Sequence, residues 1–279
     1  MNQSNEFKLI LKYVKKHGKV PMTKYPIALE RRYALIIHDI IGKFLQSVKT
    51  AHREDDAESY RKRLEEKLLL LYNDPRTRDK ISDICSQIIE FNHKQFVRQI
   101  SAYTGIDWQE QMDWRQVVED DWVSINYELL QNTTHDYLNR ILSAYLLFAA
   151  GKTPISEFEA GINKLTKGLV TRSKRIARDQ VGNLNSSVWK QQYQNIGVNY
   201  YFWHTQLDER VRGNPAGIYP KYIPSHWAME GLLCNWNDAS VYSDDGGKTW
   251  KKKNAIMEPL QVGMAIACRC VPFPYLEVV

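Results

Sequence analysis

The sequence predicts an α+β protein, with a mostly helical N-terminal region followed by a small α+β C-terminal domain carrying a β-hairpin. Three observations predict this. Apolar residues recur at helical spacing up to about residue 196. No proline interrupts the chain between Pro75 and Pro154. The 83 residues after 196 hold seven of the 14 Gly and six of the 10 Pro, the punctuation of short strands and loops. Taken in order, Leu29, Tyr33, Ile36, Ile37, Ile40, Phe44, Leu45 and Val48 form a first apolar stripe at three- and four-residue steps. Ile81, Ile84, Ile88, Ile89, Phe96 and Ile100 form a second. Val117, Trp122, Ile125 and Leu129, then Ile141, Tyr145 and Phe148, form a third. Thr153-Pro154 reads as an N-cap followed by proline at the first helical position. Residues 164–196 read as one or two helices stopped near Gly197, with Gly168 and Gly182 arguing against continuity. Tyr200-Tyr201-Phe202-Trp203 is an aromatic strand, and Asp208 to Tyr222 is a loop. Ser240-Val241-Tyr242 and Thr249-Trp250 flank Asp244-Asp245-Gly246-Gly247 as a hairpin, and a short strand lies within Cys268 to Val279. The expected division is a helical region over 1–150 and a second domain over 151–279, with basic helices at 164–196 and the α+β part at 197–279.

Composition excludes several classes. With 279 residues, 43% apolar, 25% charged and 11% aromatic, the chain is not disordered and can bury a real core. It has no apolar run long enough for a membrane span. The first residues mix charge into every turn and lack an apolar signal core. Four cysteines do not make a disulfide framework, so the expectation is an intracellular product with reduced thiols. The net charge of +6 is uneven: residues 1–25 carry +5, 26–163 carry −5, 164–196 carry +6, and the remainder balances. The second basic segment, with Lys164, Lys167, Arg172, Lys174, Arg175 and Arg178, either meets nucleic-acid phosphates or is a solvated helix face beside an acidic neighbour.

The candidate sites cluster late in the chain. Cys268-Arg269-Cys270 is too tightly spaced for an ordinary disulfide. With Cys234 and His226 it offers four ligands of the kind tetrahedral zinc takes, with His204, Asp208 and Glu258 as substitutes. The alternative is a set of buried thiols with no ligand role. Asp208-Glu209-Arg210-Val211-Arg212, close behind the aromatic strand, suits either an ion-pair network or a phosphate grip. Ser243 to Trp250 resembles the Asp-box of sialidases and related propellers. A single copy after nearly 200 helical residues supports a hairpin and nothing more. Serine-nucleophile, Walker, HExxH and Rossmann signatures are absent. His38, His52, His93 and His135 have no paired partner at ligand spacing and read as solvated or hydrogen-bonded. Nothing demands catalysis.

Five segments, in order, resemble the phage Mu F-like minor head protein family, also called head morphogenesis proteins. Arg175 to Gln180 is similar to its Ile-Ala-Arg helix motif, and Ile196 to Thr205 to its Gly-(Ile/Val)…Tyr-x-Trp-x-Thr strand. Asp208, Arg210 and Arg212 match its Asp-x-Arg-Val-Arg signature, and His226 and Gly231 its His-x-x-x-x-Gly segment. Val262-Gly263 followed by Cys268-Arg269-Cys270 resembles its closing Pro-Gly…Cys-Arg-Cys, with Val262 where relatives tend to have Pro. The resemblance implies a non-enzymatic virion component, made in the host cytoplasm and associated with the portal protein oligomer, other head proteins and viral DNA. It also implies that residues 1–150 contact the portal or another partner and that the Cys/His residues staple a small domain, around zinc if they bind metal. A metal-dependent nuclease or other hydrolase using Asp208, Glu209, His226 and the cysteines is one alternative. An adaptor that binds proteins only is another.

Overall fold

The computed structural model describes residues 19–48, 56–109 and 111–276. Most of the basic N-terminal segment, and His52 with it, falls outside the described residues. The fold is α+β: among the described residues five α-helices come first, then five short strands with one 3-10 turn, Trp227–Met229, between the first two. The helices are α1 (Ile27–Val48), α2 (Ala57–Asn73), α3 (Pro75–Thr104), α4 (Arg115–Ala149) and α5 (Ile155–Asn195). The strands are β1 (Tyr200–His204), β2 (Leu233–Asn235), β3 (Asp238–Ser243), β4 (Lys251–Lys252) and β5 (Val271–Pro274). No helix among the described residues is long and apolar enough to cross a membrane.

The chain forms two compact units, and they do not divide at residue 150. One contains the described residues of 1–27, 87–118 and 178–279; the other contains 28–86 and 119–177. The cause is helix length. At 30, 35 and 41 residues, α3, α4 and α5 each contribute to both units, so no cut in sequence separates them.

In the all-helical unit α1 buries Tyr33, Ile37, Ile40, Ile41, Phe44, Leu45 and Val48, leaving Leu29 and Ile36 only partly covered. Asp56 caps α2 by accepting from the Glu58 and Ser59 amides. On α4 the apolar stripe needs correction: Val117 and Ile125 are 64% and 58% exposed. The buried face is instead Trp122, Val123, Asn126, Leu130, Thr133, Thr134, Tyr137, Leu138 and Ile141. Asn126 tolerates burial because it accepts from the Tyr33 hydroxyl and donates to the Trp122 carbonyl. Thr134 is held by the Leu130 carbonyl and the Tyr72 hydroxyl. Helix α4 ends in a Schellman motif at Gly151, whose φ is +68°, with Gly151 donating to Phe148 and Lys152 to Leu147. Helix α5 then begins at Ile155, so Pro154 stands one residue ahead of the first helical position.

Helix α5 is continuous through Gly168 and Gly182 and closes with a second Schellman motif at Gly197. In the other unit its last turns pack under an antiparallel sheet of order β4-β3-β2-β1-β5. Alternation along β1 sends Tyr201 and Trp203 into a core with Trp189, Tyr193, Met229, Trp236, Val262, Cys268 and Cys270. Pro272 and Pro274 sit on β5, an edge strand, where a missing N–H costs no ladder bond. The β3–β4 hairpin is closed by Asp245, which accepts from the Thr249 amide and hydroxyl, while Trp250 packs on Tyr200 at 5.0 Å. Thr249 and Trp250 themselves lie in the loop ahead of β4.

Candidate metal centre

The centre forms where β1 ends and β5 begins. Pairing of His204 with Val271 brings the preceding residues, Cys268 and Cys270, to the end of β1. His226 comes from the long loop after β1. The Arg212 carbonyl fixes it there, accepting from both the His226 and Trp227 amides at 3.1 and 3.0 Å. Ser225 bonds the Ile256 carbonyl and sets Glu258 behind the imidazole.

Three side chains pin the 266–270 loop. Asp179 on α5 accepts from the Ala267 amide, Arg212 donates to the Ile266 carbonyl, and Gln206 donates to the Arg269 carbonyl at 2.8 Å. Helix and loop also touch backbone to backbone. A Cβ on Gly182 would lie 3.0 Å from the Gly263 carbonyl and 3.1 Å from that of Cys268. Gly263, at φ +82°, is likewise held against the Gly182 carbonyl.

His226 Nδ1 lies 3.5 Å from the Cys268 sulfur and 3.4 Å from that of Cys270. Its Nε2 is 3.1 Å from Glu258 Oε2. All four residues are buried. Burial alone would lower the His226 pKa, but its bonds to Cys268 and Glu258 push it up to about 9. Burial likewise opposes ionisation of Cys268, yet Cys270 and His226 hold that thiol well below its ordinary range. Cys270, buried beside a sulfur that ionises first, is raised. Burial also works against the Glu258 carboxylate, and its bond to His226 outweighs that and keeps it low. The indole N–H of Trp203, buried with no oxygen or nitrogen acceptor, favours the thiolate form of Cys270. His226, Cys268 and Cys270 together can hold a metal ion, their ligating atoms lying within 4.8 Å of one another.

Of the four expected ligands the structure therefore brings together three. Cys234 stands apart on β2, paired with Tyr201 and donating to the Leu232 carbonyl, its thiol pushed by burial up to about 11. The substitutes are also employed elsewhere. His204 pairs with Glu230 at 2.7 Å, Asp208 accepts from the Arg210 amide, and Glu258 takes the far nitrogen of His226. Gly231 donates to the Trp203 carbonyl. Glu209 is exposed. Trp203 was legible only as a strand residue, and Gln206 carried no signal at all.

The three ligands line a cleft of about 330 Å³, together with Arg178, Asp208, Arg210, Arg212 and Arg269. Of the basic residues earlier on α5, Lys164, Lys167, Lys174 and Arg175 are exposed, while Arg172 is held by Asp136 at 2.7 Å and lies over Tyr137.

The chain is 23% identical over 189 residues to a protein of Haemophilus influenzae described as uncharacterized. The match covers 67% of this chain and 36% of that protein, so the chain spans about a third of that relative's length. No family model matches the chain, and no solved structure does.

Proposed function

We propose that this chain is a minor head protein of the head morphogenesis type, a virion component that binds the portal oligomer and touches viral DNA without reading its sequence. One observation carries the reading. The segments that resemble the family are scattered from Arg175 to Cys270, yet their residues meet around a single cleft. Arg178, Asp208, Arg210, Arg212, His226, Cys268 and Cys270 line it, and Gly263 sets the helix against its loop. Residues gathered this way act as one module. Exposed Lys164, Lys167, Lys174 and Arg175 suit phosphate contacts, and the helical surface suits protein partners.

The Cys/His group, on this reading, holds zinc as a structural staple. A tetrahedral ion with ordinary Zn–S and Zn–N bonds places nitrogen and sulfur about 3.6 Å apart, against 3.5 and 3.4 Å here. The carboxylate on the far imidazole nitrogen is the usual outer partner of a zinc-bound histidine. Two thiols sharing one imidazole nitrogen favour this over a hydrolase in which His226 acts as base.

The test is co-expression with the portal protein of the same genome, followed by native mass spectrometry and negative-stain imaging. Protein decorating the ring is the expected result. A well-folded chain that ignores the portal would count against the reading. In parallel, reversing Lys164, Lys167, Lys174 and Arg175 to Glu should weaken duplex binding and flatten its salt dependence. An unchanged slope would assign that face to protein.

A further inference from the structure

A zinc ion held by His226, Cys268 and Cys270 keeps one tetrahedral position, because among the described residues no fourth His, Cys, Asp or Glu joins the group. Glu258 is excluded, sitting on the opposite ring nitrogen. All three residues line the cleft. Arginine side chains gather at the cleft: Arg178, Arg210, Arg212 and Arg269 line it together with Asp208. These guanidinium groups come from α5, from the loop after β1 and from the loop before β5, so they converge on the cleft from separate directions. Arg212 is held in place by the Ile266 carbonyl and the Tyr222 ring, 4.8 Å from its guanidinium carbon. Tyr219 and Tyr222, 50% and 45% exposed, supply aromatic wall. The volume of about 330 Å³ is at the lower end of small-molecule sites and larger than a bare anion needs.

We propose that the cleft binds a phosphate monoester of a nucleotide or nucleic-acid end, one phosphate oxygen taking the fourth metal position and the arginines neutralising the rest. Planar guanidinium forks match phosphate oxygens, and a monoester carries two charges for the arginines to balance, since two thiolates already neutralise the zinc ion. The tyrosines offer the attached nucleoside a stacking surface. This rests on the metal reading above.

The experiment uses the full chain loaded with Co²⁺ in place of zinc. One equivalent should produce thiolate-to-cobalt absorption that Cys268→Ser with Cys270→Ser abolishes; its absence would overturn the metal reading itself. Inorganic phosphate and a nucleoside 5′-monophosphate are then titrated into the loaded protein, expecting a saturable change in the cobalt d–d bands. Arg210→Gln, at an exposed residue only loosely paired with Asp208, should leave the thiolate band intact and weaken the nucleotide by roughly tenfold. A 5′-phosphorylated oligonucleotide that moves the bands where its unphosphorylated twin does not would place the ligand on a strand end; activity of the mononucleotide alone would place it on a free nucleotide. If the cobalt site forms and no phosphate moves its bands, the metal reading stands and the phosphate site is refuted.

Discussion

Glu258 shows what a single atom decides. By residue type it belonged among the possible ligands, but spacing cannot tell which side of an imidazole a carboxylate will reach. The structure puts it on Nε2, 3.1 Å away, leaving Nδ1 to the sulfurs. Glu258→Gln should therefore keep the fold and lower metal affinity by about 10–100-fold, measured by competition with a chromophoric chelator. An unchanged affinity would reduce the carboxylate to packing. Asp245 gives a prediction in pH. Bonds from Thr249 and Ser243 hold its carboxyl well below the usual range. A carboxyl lowered on folding stabilises the hairpin above its unfolded value, about pH 4, and that contribution is lost as pH falls toward the folded value. The protection factor of the Thr249 amide, its exchange measured against the intrinsic rate at each pH, should fall in acid, and Asp245→Asn should show the lower protection already at neutral pH. The thiols and His226 were legible from type and order. Cys234 was not separable from them, because only strand pairing reveals that it faces Tyr201.

Helix α5 separates two glycines that look alike in sequence. Gly168 has nothing within 4 Å of a built Cβ, so Gly168→Ala should stabilise by about 0.5–1 kcal/mol. Gly182 is pressed against two carbonyls, so Gly182→Ala should cost about 1–3 kcal/mol. Thermal melts of the pair test this, and equal effects would mean the close approach yields freely. In sequence both weigh equally against a continuous helix, because propensity counts only the helix's own entropy. Helices α1, α3, α4 and α5, strand β1, the hairpin and the last strand were legible from periodicity and turn residues, whereas α2, which buries only Tyr60, Leu64, Leu68 and Tyr72 among charged residues, was not. The true face of α4 was not, because Asn126 and Thr134 are buried on the strength of specific bonds that hydropathy does not register. Nor was the interleaving of units, which depends on helices long enough to serve both.

Across the whole molecule the two units can be watched separately. Seven of the eight Trp lie in the unit carrying the Cys/His group, and Trp122 alone lies in the helical one. Chelation should therefore lower the denaturation midpoint read by tryptophan fluorescence more than the one read by far-ultraviolet dichroism. Coincident shifts would mean that the units melt together. The order of the sheet has a further consequence for synthesis. As the chain leaves the ribosome, β1 can pair with β2 while its other edge stays open until Val271–Pro274 emerges. Cys268 and Cys270 emerge immediately ahead of that strand, so a nascent chain has His226 and no sulfur partner for most of the unit's translation. On the proposed zinc reading, metal capture and closure of the exposed β1 edge would be one late event, and a cell short of metal would accumulate chains whose sticky strand edge is the part left unfinished.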